Sequence, residues 1–99
     1  MERSRKLSPQ TSAVLAALAN QPSDWLYGLE LAKLTGLKSG SLYPILIRLS
    51  DRAFLESRWL EPAERGRPPR HAYRITANGL KALGEFERLA RSSLRELRT

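Results

Sequence analysis

Ninety-nine residues suffice for one domain with a modest core, and an apolar fraction of 41% is that of a globular chain rather than a disordered one. Seventeen Lys and Arg against ten Asp and Glu leave a formal charge of +7, a surplus that suits a polyanionic partner, either nucleic acid or an anionic membrane surface. The absence of cysteine excludes disulfides, thiol nucleophiles and thiolate metal sites, and the longest apolar run, Ala13 to Ala19, is too short to span a bilayer.

The first residues, Met1-Glu2-Arg3-Ser4-Arg5-Lys6, are basic like the start of a signal peptide, but a helix start follows them rather than a secretory core. The expected location is therefore cytoplasmic and nucleoid-associated, with no membrane partner. Ser8 is placed to cap a first helix, with Pro9 in the turn where a missing N–H costs nothing. Val14, Ala17 and Leu18 recur at helical spacing, and Asn20-Gln21-Pro22-Ser23-Asp24 ends the element. Trp25-Leu26 is a two-residue signal for a short strand. A second helix spans about Gly28 to Thr35, with Leu31 and Leu34 on one face and Gly36 where a left-handed C-terminal residue is wanted.

Ser39, a good N-cap, opens a third helix that runs to about Arg52. Two helices joined by so tight a glycine-containing turn form a helix-turn-helix signature. In the third helix Leu42, Ile45, Leu46 and Leu49 fall at i, i+3, i+4 and i+7, an inward stripe that leaves Ser41, Pro44, Ile47, Arg48 and Asp51 outward. Pro44 conflicts locally with the helix, removing one hydrogen bond and bending the first turn.

Phe54 to Trp59 and His71 to Thr76 alternate as strands, and the polar, proline-containing stretch Glu61 to Arg70 joins them as a basic loop. Two strands and such a loop, directly after a helix-turn-helix, make a wing. Thr76 is placed to cap a last helix from Ala77 to about Leu97, roughly 30 Å long. The expected fold is thus α+β, mainly α: a winged helix-turn-helix with a three-helix core, a two-stranded wing and a long C-terminal dimerisation helix. Residues 1–7 form a basic arm expected to be mobile, 8–76 the DNA-binding domain and 77–99 the dimerisation helix.

This arrangement suits B-DNA, whose major groove admits an α-helix by its first turns. Lys38 can neutralise a phosphate, Ser39 and Ser41 can bond phosphate or base edges, and Gly40 permits close backbone approach. Tyr43 offers a hydroxyl at the flank, and Arg48 lies further along the exposed face. The wing carries Arg65, Arg67 and Arg70, which can pair with phosphates or enter the minor groove. On the last helix Leu80, Leu83, Ala90, Leu94 and Leu97 fit heptad positions, Glu87 interrupts them and Phe86 widens the stripe. A core this small covers only part of such a stripe, so a two-fold partner is expected, and with it a palindromic site in double-stranded DNA.

Other functions fit less well. His71 is the single histidine, and no carboxylate pair, zinc ligand set or glycine-rich phosphate loop accompanies it, so neither an enzyme nor a cofactor is expected. RNA binding lacks an aromatic platform on a sheet. The more serious alternative is a winged-helix protein–protein interaction module that does not read DNA.

Three stretches carry a family resemblance: Tyr27-Gly28-Leu29-Glu30-Leu31; Gly40-Ser41-Leu42-Tyr43-Pro44-Ile45-Leu46-Ile47-Arg48-Leu49; and the segment from Gly66-Arg67-Pro68-Pro69-Arg70 through Tyr73 and Ile75-Thr76-Ala77-Asn78-Gly79. In this order and spacing they resemble the PadR family of winged-helix regulators, over more than half the chain. The resemblance implies a dimeric repressor, often of an adjacent operon for transport, detoxification or stress response. It carries the recognition-helix positions over to Ser39, Gly40, Ser41, Tyr43 and Pro44, and the basic wing to Arg67 and Arg70. Some short members bind aromatic ligands at the dimer interface, where Trp25 and Trp59 could stack on an effector. The chain resembles that short subgroup, and it departs from the family at Ala53, where glycine is usual and a left-handed turn would cost of order 1 kcal/mol.

Overall fold

The computed structural model describes residues 7–61 and 66–98, with side chains through residue 92. Helix α1 spans Pro9–Ala19, and the Ser8 hydroxyl caps it by accepting the Thr11 N–H at 3.1 Å. Strand β1 is Leu26–Tyr27, and α2 follows at once over Gly28–Thr35. The Glu30 carboxylate accepts the Tyr27 N–H at 2.8 Å, satisfying a donor that the helix start would leave open. Gly36 closes α2 with φ +76°, the left-handed residue expected there. Of the two leucines expected on one inward face, Leu31 is buried but Leu34 is 56% exposed. Only about two turns long, α2 turns a narrow strip inward.

Helix α3, Ser39–Asp51, begins one residue earlier than expected. Lys38 is its N-cap, and its carbonyl accepts the N–H groups of both Ser41 and Leu42 at 2.9 Å. Ser39 therefore sits inside the first turn and caps nothing. Leu42, Ile45, Leu46 and Leu49 are all 3% exposed or less, as their spacing requires. The helix continues past Pro44, whose missing N–H leaves the carbonyl of exposed Gly40 to solvent. A Schellman motif ends α3: the Phe54 N–H reaches the Leu49 carbonyl and the Ala53 N–H reaches Ser50, both at 3.0 Å. Ala53 holds the left-handed position of that motif, at φ +64°.

Strands β2, Leu55–Leu60, and β3, Arg70–Ile75, pair antiparallel with Leu55 opposite Ile75 and Leu60 opposite Arg70. The sheet has three strands in the order β1-β3-β2, because β1 pairs on the other edge of β3, Leu26 opposite Tyr73 and Tyr27 opposite Ala72. Helix α4 covers Ala77–Arg98. Thr76 fastens its start, accepting the Gly79 N–H at 3.0 Å and donating to the Ala53 carbonyl at 2.7 Å. A Cβ at Gly79 would stand 2.2 Å from the Phe54 carbonyl oxygen, so this junction requires glycine.

The core gathers Val14, Leu15 and Leu18 of α1, Leu31 of α2, the α3 stripe, and Leu55, Tyr73 and Ile75 of the sheet. Helix α4 closes it with Leu83, 7% exposed, and half-buried Phe86. These two residues, read from the heptad as dimer contacts, thus pack against the chain's own core. Leu80, Leu89 and Ala90 remain exposed, while the side chains of Leu94 and Leu97 lie outside the described residues.

Candidate nucleic-acid interface

The Leu42–Leu49 stripe anchors α3 so firmly that its opposite face is fixed in orientation. Lys38, Ser39, Gly40, Ser41, Pro44, Ile47 and Arg48 all lie exposed along it. Neither Ser39 nor Ser41 donates or accepts a side-chain hydrogen bond among the described residues, so both hydroxyls are open to an incoming partner. The N–H groups of Ser39 and Gly40, which have no intrahelical acceptor, lie beside them. Tyr43 differs from the rest of the set. Its ring lies against Gly28, where an added Cβ would stand 2.2 Å from the tyrosine oxygen, although 42% of the residue remains exposed. Tyr43 bolts α3 to the start of α2.

In the wing, Arg67 and Arg70 are exposed, and Arg65 lies outside the described residues. The Arg70 guanidinium rests 4.3 Å from the Tyr27 ring centroid. On the same sheet face, Arg58 and Arg74 lie 4.5 and 4.4 Å from the Trp25 ring centroid. Arg74 also pairs with Glu56 at 3.0 Å, on a half-exposed surface where an ion pair contributes little.

The other face of the sheet carries a stack. Trp59 lies on His71 with ring centroids 4.5 Å apart and planes 9° from parallel, and His71 leads to Tyr73 at 4.8 Å. The Tyr73 hydroxyl bonds His71 Nδ1 at 3.1 Å. Burial raises the Tyr73 phenol above its ordinary value, and the neighbouring Tyr43 adds to the rise.

The family model for the transcriptional regulator PadR-like family matches residues 14–85. The chain belongs to that family. Its fold is similar to that of the PadR-like transcription factor of Bacteroides fragilis, with TM-score 0.76, 24% identity, and coverage of 89% of this chain and 85% of that one. It is likewise similar to a PadR family transcriptional regulator from Eggerthella lenta, with TM-score 0.72 and 29% identity over 85% of this chain and 76% of that one. The PcaV transcriptional regulator of Streptomyces coelicolor, solved in complex with its natural ligand, matches at TM-score 0.73 and 26% identity. The match covers 94% of this chain and 62% of PcaV. No curated protein matches the sequence.

As a PadR-like regulator the chain is a DNA-binding protein and not an enzyme. Its winged helix, mainly helical with an antiparallel sheet, is the family's architecture. Among the described residues no acidic or histidine cluster could hold a metal, and no helix is long and apolar enough to cross a membrane.

In the PadR-like fold α3 and the base of the wing both meet the chain at the start of α2, through Tyr43 on Gly28 and Arg70 on Tyr27. The fold does not bring the two tryptophans together. Strand alternation puts Trp59 on the face of His71 and Tyr73, whereas Trp25 lies with Arg58 and Arg74 on the opposite face. A single ligand cannot be sandwiched between them within one chain. In the sequence Tyr27 carries no role beyond the family resemblance, and Leu89 carries none. Tyr27 becomes visible only through its pairing opposite Ala72, and Leu89 lies off the heptad, yet lines a groove of about 620 Å³ with Leu7, Phe54 and Ala82.

Proposed function

We propose that this PadR-like protein is a homodimeric repressor of a palindromic operator, acting in the cytoplasm on the nucleoid. Residues 8–76 form the DNA-binding unit. Lys38, Ser39, Gly40, Ser41, Tyr43, Pro44 and Arg48 present the recognition surface to the major groove, while Arg65, Arg67 and Arg70 grip phosphates or the minor groove. The observation that carries this reading is the exposed start of α3, where two serine hydroxyls without internal partners flank a glycine on a rigidly packed helix. Residues 77–99 supply the dimer contact. The exposure of Leu80 and Ala90 supports a partner helix there, and the stripe continues in sequence through Leu94 and Leu97.

A small aromatic effector at the dimer interface belongs to the same proposal, and PcaV, solved with its natural ligand, supports an effector as such. Trp59, 66% exposed with one ring face on His71, is better placed to stack on such a molecule than Trp25, over which two guanidinium groups already lie.

The test separates reading from gripping. Ser41→Ala is expected to relax sequence preference at one operator position by about 1 kcal/mol, and Arg48→Ala to weaken binding across all duplexes. Both can be measured by fluorescence anisotropy on matched and scrambled sites. Full repression and unchanged affinity in both variants would favour a protein-interaction module instead.

A further inference from the structure

The dipeptide Tyr27-Gly28 stands where the two DNA-facing elements meet. Gly28 seats the Tyr43 ring of the recognition helix, and Tyr27 lies 4.3 Å beneath the Arg70 guanidinium at the base of the wing. Both anchors of Tyr27 are backbone anchors: β1 pairs it opposite Ala72, and the Glu30 carboxylate holds its N–H at 2.8 Å. The main chain under the half-buried ring is therefore fixed in place. Arg70 is constrained from its own side as well, because Pro68 and Pro69 stiffen the approach and Leu60 pairs opposite it. Among the described residues Arg70 pairs with no carboxylate, so its charge remains available above the ring.

We infer that Tyr27 is a positioning residue for DNA binding: its ring holds the Arg70 guanidinium in register with the recognition helix, so that Arg70 reaches the DNA backbone already ordered. A long arginine side chain otherwise surrenders its rotamer freedom on docking, and a ring under the guanidinium reduces that loss while leaving the N–H edges open to a phosphate. The inference rests on the reading of Arg70 as a DNA contact.

The experiment measures binding of the full-length protein to a fluorescein-labelled mixed-sequence DNA duplex across a salt series, with circular dichroism and thermal melting as folding controls. Arg70→Ala should weaken binding and flatten the log–log salt slope by about one phosphate contact. Tyr27→Leu should weaken binding about two- to fivefold. Tyr27→Phe should restore it, since the ring remains. Tyr27→Leu should cost nothing further in the Arg70→Ala background, an outcome that a general folding defect would not produce. Wild-type affinity in Tyr27→Leu, or an equal loss with and without Arg70, overturns the positioning role alone. Unchanged binding and salt slope in Arg70→Ala overturns the reading of Arg70 itself, and the inference falls with it.

Discussion

Ala53 shows how one residue type can oppose the backbone that its neighbours demand. The Schellman bonds of Phe54 and Ala53 to the end of α3 need a left-handed residue, and alanine supplies it at φ +64°. Ala53→Gly is expected to raise stability by about 1 kcal/mol, read as a higher denaturant midpoint at unchanged slope. Gly79→Ala should do the reverse by about 1–3 kcal/mol, because the new Cβ meets the Phe54 carbonyl, a backbone atom tied to Thr76 at 3.0 Å. Tyr73 gives a pH signature. Its phenol is raised by burial in the folded state, so the unfolded chain releases this proton first, at about the ordinary pH of 10.0. Folding stability should therefore be insensitive to Tyr73 below that pH and decline as pH rises through it. Tyr73→Phe should decline less steeply in alkaline denaturant titrations, and an identical alkaline slope would contradict the assignment.

Elements were legible in the sequence to the extent that their side chains obey a period. The α3 stripe at i, i+3, i+4 and i+7 is buried as spaced, and Ser8, Gly36 and Thr76 each mark a helix boundary through a local bond or dihedral. Periodicity failed where the answer depended on a partner. The two-residue signal at Trp25-Leu26 falls one residue early, because only pairing with β3 fixes β1 at Leu26–Tyr27. The arginine–aromatic contacts of Trp25 and Tyr27 follow from that pairing, so no local signal announces them. Helix α4 shows the same limit. A heptad cannot distinguish an internal neighbour from a second chain, and Leu83 and Phe86 belong to the internal one. The exposed remainder, with Leu80 and Leu89 about 45% exposed, is where the proposed partner would pack. Leu94→Glu should yield monomers by light scattering with the winged core still folded; a persisting dimer would move the interface elsewhere.

For the whole molecule, the +7 charge, the α3 face and the wing arginines act together in the proposed function. Charge gives affinity for any duplex and must be lost with salt, whereas the helix face gives preference among sequences. Two paired copies would multiply that preference only over a site with two-fold symmetry, half-sites lying about 34 Å apart on one side of the duplex. The most direct test is selection of bound fragments from random or genomic DNA by the purified protein, repeated over a salt series. Enrichment of one palindromic sequence, with affinity falling steeply as salt rises, is the expected result. Recovery of no preferred double-stranded site, even at low ionic strength and with the protein paired, would contradict it.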